Sequence, residues 1–435
     1  MKLNELKSLK SFFILWLTQS LSTLGSAMTG FALVIVLYRN SGSALATAML
    51  SVCSYAPYVL MSIFAGALSD RWNKKATMLV CDTLAAVSTL AVLILFKTGS
   101  LEPWHLYIIN ALGGLMNTVQ QPASEVATTL LTPEKYYQKT SGMRSFSGSL
   151  VTILTPSIAT AVMSFWGLEA VIAIDLVTFG TAFLALLLFI KIPEIPKDKD
   201  GGKQESVLAS AKSGLVWLKI HRKILWLILF LAAINLIASI YDAALPAMML
   251  SHPNGGETAL GAVNTCVGLA SLAGSIIVTF LPEPKNRLRV ICNTLLISMS
   301  TENFLLAFGK TPLIWCIGAV LGWIVIPIMN ANMDVIFRSE IPAEMQGRVF
   351  SARNTLQFFT IPVGFFLGGI LVDKVFEPLI AGLSSDSLPV TVFGGEKGSG
   401  AAMLFFVIGI AGVAVCLIFR RIILRIANSA ERSAG

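Results

Sequence analysis

Charge is what this sequence has least of. Of 435 residues only 13% are Asp, Glu, Lys or Arg, about half the ~25% of an ordinary soluble chain. Histidine occurs three times. The six cysteines (Cys53, Cys81, Cys266, Cys292, Cys316, Cys416) fall in apolar stretches, with no CxxC pair and no Cys/His cluster. That argues against a zinc site and for free thiols acting as small hydrophobes. There is no HExxH and no GxSxG, and Gly394–Gly400 (GGEKGSG) lacks Walker A spacing. Nothing therefore points to an enzyme, an ATP-driven pump, a cofactor or a bound metal. The net charge of +8 invites nucleic acid as a partner. The basic residues, however, lie in short loops between apolar blocks, which is how topology signals are arranged, so no nucleic acid is expected.

Apolar length is what remains. Hydrophobic residues make up 55% of the chain, in runs near the ~20 residues that cross a ~30 Å hydrocarbon layer. Twelve spans are expected: 12–38, 43–68, 76–97, 104–131, 142–166 and 168–190, then 223–250, 258–281, 288–309, 312–337, 348–375 and 400–424. The first run is too long for a signal-peptide core and reads as an uncleaved first span. With the N-terminus inside, 27 Lys and Arg fall on the inner side and 5 on the outer. This asymmetry predicts both termini in the cytoplasm, hence a multi-pass protein of the cell's inner (cytoplasmic) membrane.

The one long inner connection opens Pro-rich and charged (KIPEIPKDKDGGKQE) and continues as an amphipathic stretch over Val207–Lys219. It separates an N-terminal six-helix bundle (1–190) from a C-terminal one (223–435), with a cytoplasmic linker at 191–222. The two halves echo each other. Glu125 is followed eight residues on by Pro133, and Asp334 eight residues on by Pro342. A glycine then opens the next span (Gly142, Gly347), and a proline follows inside it (Pro156, Pro362). Four such features in one order argue for a duplicated, pseudo-symmetric all-α architecture.

Between spans two and three the chain reads Gly66-Ala-Leu-Ser-Asp70-Arg71-Trp-Asn73-Lys74-Lys75-Ala-Thr-Met78. This resembles the major facilitator signature G-x-L-a-D-r-x-G-r-k-x-x-l, with Asn73 at the second glycine. Other stretches are similar to the macrolide-efflux (drug:proton antiporter) branch. They are Pro122-Ala123, Leu131-Thr-Pro133-Glu134, Ile172-Ala-Ile-Asp175, Gly347-Arg348-Val349-Phe350-Ser351 and Val372-Asp373-Lys374. Of the antiporter signature of span five, only Pro156 and small residues survive within Val151–Thr160. The resemblance implies a major facilitator fold working as a secondary transporter by alternating access. Its loop of Gly66, Asp70, Arg71, Lys74 and Lys75 would act as a gate latch. Spans one, four, seven and ten would line a central cavity.

An ionisable side chain inside a span is costly, about 2.5–3.5 kcal/mol on insertion scales, and so is a candidate for function. Asp82, Glu125, Arg144, Asp334 and Arg353 lie toward the inner ends of their spans. With Asp70 and Arg71 they are expected either to lock one state of the cycle or to form static salt bridges. Asp242, some twenty residues into span seven and in its outer half, is placed either to take a proton or pair with a cationic substrate, or to be a water-exposed residue at a helix end. Asp175 and Glu302 fall on spans six and nine, which the resemblance makes peripheral, and each needs a donor. With Glu125 these acids are the proton-coupling candidates. Gln19, Thr23, Asn117, Gln120, Gln121, Asn235, Tyr241, Trp323 and Asn330 supply polar groups to the cavity, or glue between helices. Such a lining suits a bulky amphipathic solute better than a sugar.

The expected function is export of a hydrophobic or amphipathic, macrolide-like compound by proton antiport. Two alternatives stay open: a siderophore, lipid or peptide exporter, and a non-transporting receptor or structural protein. The expected partners are the lipid bilayer, a small amphipathic substrate and protons, with the chain a monomer.

Overall fold

The structure is a computed structural model and describes residues 9–133, 136–193 and 207–434. Side chains at 62–71, 138, 207–212, 338, 343–344, 346–347, 351 and 427–434 fall outside that description. Among the described residues every regular element is helical. In chain order they are α1 (Lys10–Ser41), α2 (Ala44–Arg71), α3 (Lys74–Lys97) and α4 (Pro103–Leu130). A continuous helical stretch, Tyr137–Phe189, is broken at Gly167 (φ 78°, ψ −178°). It thus forms α5 (137–166) and α6 (168–189), divided where the sequence separates spans five and six. Next come α7 (Val207–Ile220), α8 (Arg222–Ser251), α9 (Glu257–Phe280) and α10 (Arg287–Phe308). The tenth span is split into α11 (Pro312–Trp323) and α12 (Ile326–Glu340). The eleventh runs through α13 (Ala343–Phe358), α14 (Thr360–Ile370), a π-helical turn (Leu371–Phe376) and α15 (Glu377–Ala381). A short α16 (Leu388–Phe393) precedes α17 (Ser399–Ala434).

Among the described residues ten segments are long and apolar enough to cross a membrane, and one of them, Lys139–Phe189, runs through both α5 and α6. The remaining expected span is α4, a 28-residue helix. Its Asn110, Asn117, Gln120 and Gln121 dilute its apolar character. The helices are therefore consistent with the twelve spans.

Local chemistry sets the helix starts. Asn73 Oδ1 accepts from the Ala76 amide at 3.0 Å at the head of α3. Asn286 Oδ1 does the same for Arg289 at the head of α10, also at 3.0 Å. Asn is a strong N-cap because its short acceptor satisfies an otherwise orphan amide. The two caps open the third span of each half, and this explains Asn73 where the signature has glycine.

Two compact units result: Met1–Val34 with Cys53–Val207, and Ile35–Val52 with Leu208–Gly435. In the first, α1, α3, α4 and α6 meet around Leu15, Met78, Ala123, Ala127 and Leu186. The Trp16 indole ties α1 to α5 by donating to the Met143 carbonyl (3.1 Å) and Ser147 Oγ (2.9 Å). In the second unit α8 is the buried axis, and α13, α14 and α17 pack on it. Small residues set the approach of α14: a Cβ on Gly368 would lie 2.8 Å from Ala243 Cβ. Without a hydrophobic drive between helices in lipid, such close packing is a main source of association.

The turn joining α1 to α2 belongs to the second unit, and one carboxylate secures it. Asp373, on the π-helical turn, accepts from Ser43 Oγ (2.5 Å) and from the backbone amides of Ala44 and Leu45 (both 2.9 Å). It therefore caps the positive end of α2. Arg39 adds an ion pair to Glu257 at 2.6 Å. Removing an N-cap costs about 0.5–2 kcal/mol. Asp373→Ala is accordingly expected to lower the melting temperature of the purified protein by a few degrees, with Asp373→Asn falling between it and the wild type. Equal melting of all three would show that the cap contributes nothing.

Candidate functional site

The second unit encloses a cavity of about 200 Å³ between α8, α10, α11, α12 and α13. It lies where the tenth span is interrupted at Ile324–Val325, as binding sites in membrane proteins often lie beside broken helices. Adjacent residues of α8 part company here. Tyr241 is buried, with its ring edge-on to Phe405 at 5.2 Å. Asp242 is exposed and faces the cavity. From α10 come Leu295, Ser298, Met299 and Glu302, at spacings that share one helix face. Glu302 is only 4% exposed. The Trp323 indole donates to its Oε1 at 2.9 Å, and Gly322 makes room for it, since a Cβ there would stand 2.6 Å from Oε2.

Two buried polar atoms of this lining, Tyr241 Oη and Asn303 Oδ1, have no hydrogen-bond partner in the protein. The Tyr241 hydroxyl stands close to Glu302 without reaching hydrogen-bond geometry. Each unmet buried group costs about 1–3 kcal/mol. The rest is apolar and adaptable, including Ile326, Met329 and Met333. Among the described lining residues there are two carboxyl groups and no basic side chain.

Among its described residues the first unit holds two buried acids. Asp82 on α3 is 7% exposed and receives Gln19 Nε2 from α1 (3.3 Å) and Gln120 Nε2 from α4 (2.5 Å). Asp175 on α6, 3% exposed, accepts from Ser26 Oγ of α1 at 2.9 Å. Gly25 lets α1 come this near, because a Cβ there would be 2.9 Å from Asp175 Cα. Among the described residues no group of three or more His, Cys, Asp or Glu is placed to hold a metal.

The profile of the Major Facilitator Superfamily matches residues 15–365. The chain belongs to that superfamily. It is a membrane transporter of the family, and its relatives include efflux pumps. It is 23% identical over 367 residues to macrolide efflux protein A of Streptococcus pyogenes, covering 84% of this chain and 90% of that one. It is 22% identical to the multidrug efflux pump Tap of Mycolicibacterium fortuitum, covering 85% and 90%. Its fold is similar to a bacterial homologue of the iron transporter ferroportin in an inward-facing state, with a TM-score of 0.66, 16% identity and coverage of 97% and 100%.

Within this major facilitator chain the expected site residues separate. Asp242, Glu302, Asn235, Tyr241, Trp323 and Asn330 come together around one cavity. Glu302 is thus not peripheral, because the face of α10 that carries it turns toward α8 and α11. The expected inner network does not form as one unit among the described residues. Asp82 is held by amides and forms no ion pair with a described residue. Arg144 pairs with Glu125 at 3.9 Å, both about half exposed. Arg353 donates from Nε to Gln357 Oε1 (3.1 Å) and lies over the Phe337 ring at 4.7 Å; exposed Asp334 acts on it only electrostatically. Thr23, Asn117 and Gln121 are exposed on α1 and α4.

In the signature loop, Lys75 Nζ donates to the carbonyls of Leu187 (3.0 Å) and Ile190 (2.7 Å), closing the end of α6. Lys74 Nζ reaches the Trp72 carbonyl at 3.3 Å. The side chains of Gly66, Asp70 and Arg71 lie outside the described residues.

Sequence reasoning missed Ser298, Asn303 and Gln357, which also line the cavity. Ser298 was findable, since it stands one helical turn before Glu302.

Proposed function

We propose that this transporter exports a hydrophobic or amphipathic, macrolide-like compound by proton antiport and alternating access. The observation that carries the reading is the apolar cavity into which Asp242 opens and against which Glu302 is buried, with no basic side chain to neutralise either. A proton taken from the outer water onto a carboxylate removes its charge. Its release to the cytoplasm restores the charge, and a cationic group of the solute competes for the same place. Binding of proton and solute are then mutually exclusive, which is what exchange requires. At about 200 Å³ the cavity is smaller than the ~300–1,000 Å³ of a drug-sized pocket. It therefore receives one substituent of a bulky solute. The 27-to-5 split of Lys and Arg supports an inner-membrane protein with both termini in the cytoplasm, and a monomer is the simplest assembly for this reading. The efflux relatives support the export direction.

The test is accumulation of radiolabelled erythromycin in pump-deficient cells with and without the protein, each repeated with a protonophore. A several-fold lower accumulation that the protonophore restores is the expected result. Unchanged accumulation, with the protein confirmed in the membrane, removes macrolides as cargo and moves the search to siderophores, lipids and peptides.

A further inference from the structure

We propose that Asp82, held between Gln19 and Gln120, is a proton-binding site of the first unit, separate from Asp242 and Glu302. The proposal rests on the antiport reading and adds a second titrating position to it. Asp82 lies eight residues into α3 from Lys74, about 12 Å along the axis at ~1.5 Å per residue. That places it about two helical turns in from the head of α3. It is buried, and both of its oxygens are engaged: Oδ2 by Gln19 at 3.3 Å and Oδ1 by Gln120 at 2.5 Å.

Among the described residues the surroundings supply no countercharge. α1 presents the Gln19 amide and α4 the Gln120 amide; on α3 itself the neighbour is the Cys81 thiol, which contacts the Met116 carbonyl at 3.9 Å. The charged pair contributed by α4 and α5, Glu125 with Arg144, is closed on itself. Asp175 of α6 is bonded to Ser26. A buried carboxylate that receives only neutral donors is poised between its charged and protonated forms. An Arg or Lys partner would instead have kept it ionised.

The two amides make the change of charge mechanically legible. An ionised carboxyl only accepts, so both glutamines offer it N–H, as observed. Once protonated, the carboxyl has an O–H to donate, and one glutamine must turn its carbonyl oxygen inward or let go. Gln19 and Gln120 sit on α1 and α4, next to the exposed polar residues Thr23 and Asn117. Loading Asp82 therefore rearranges the hydrogen bond to α1 or the one to α4.

Proton uptake by the purified full-length protein in lipid nanodiscs, between pH 10 and pH 4, tests this directly, with the carboxyl C=O band followed by infrared spectroscopy. Asp82→Asn is expected to take up one proton fewer per molecule and to lose one C=O band. Asp82→Glu is expected to restore both, with the band shifted. An unchanged proton count in a folded Asp82→Asn protein overturns the proposal. So does an unchanged count when Asp82→Leu is used as the second variant. In proteoliposomes with erythromycin as the probe, Asp82→Asn is expected to lower the protons moved per erythromycin, and Asp82→Glu to recover them. A wild type that moves erythromycin with no proton flux would sink the antiport reading, whereas the nanodisc count would still decide Asp82.

Discussion

Replacing Asp242 with Asn is expected to lower proton-driven erythromycin export by about 5- to 150-fold, the span of a coupling free energy of 1–3 kcal/mol. The reasoning starts from geometry. Asn is nearly isosteric with Asp and keeps an acceptor oxygen, so the cavity keeps its shape and the protein its fold. What disappears is the ability to alternate between a charged and a neutral form. The variant is also fixed as neutral, so a cationic solute loses its counter-ion in the C-terminal unit. The two losses are separable. Concentrative export under an imposed pH gradient reports coupling, whereas equilibrium binding of a neutral amphipathic dye reports the apolar wall, which Asn leaves intact. Glu302→Gln provides the comparison. Its carboxyl is already bonded to the Trp323 indole, and Gln offers the same acceptor, so the bond survives while the proton site does not. Export by Asp242→Asn at the wild-type rate under the same gradient would remove Asp242 from the transport cycle.

The second large effect is structural and turns on two neighbouring glycines of α4. A Cβ on Gly114 would run into the Ser54 carbonyl of α2, whereas a Cβ on Gly113 would meet nothing within 4 Å. Overpacking a tight contact costs about 1–3 kcal/mol, and more where backbone must move. A helical glycine with open space at its Cβ position gains up to about 1 kcal/mol when replaced by alanine. Gly114→Ala is therefore expected to reduce folded yield severalfold and to lower the melting temperature clearly, and Gly114→Val to abolish folded protein. Gly113→Ala should match or exceed the wild type. Size-exclusion profiles of the detergent-extracted variants, followed by thermal melts, give the answer. Equal behaviour of the two alanine variants would mean that α2 and α4 do not meet at Gly114.

Much of this architecture was written in local sequence. A bilayer needs apolar segments of a set length with every backbone group bonded internally, so hydropathy read along the chain finds the helices. The break at Gly167, the caps at Asn73 and Asn286, and the helical stretch over Val207–Ile220 are likewise effects of a few consecutive residues. The superfamily was legible for the same reason, because its signature is one contiguous loop.

The site was legible only as an inventory of costly residues. Asp242, Glu302, Asp82 and Asp175 stand out in the sequence because charge in a membrane span is expensive. What each one touches depends on how its helix is rotated and which helices lie beside it, and those are set by packing between segments far apart in the chain. Only the tertiary structure placed Glu302 beside Trp323 and Tyr241 and brought Gln19 and Gln120 onto Asp82. It alone joined Asp373 to the head of α2, some three hundred residues earlier, and told Gly114 from Gly113. Composition along the chain determined that this protein crosses the membrane many times and to which superfamily it belongs. The azimuth of each helix, settled by close contact of small residues and by the search of buried polar groups for partners, decided which carboxyl groups face a cavity and which are tied to a neighbouring helix.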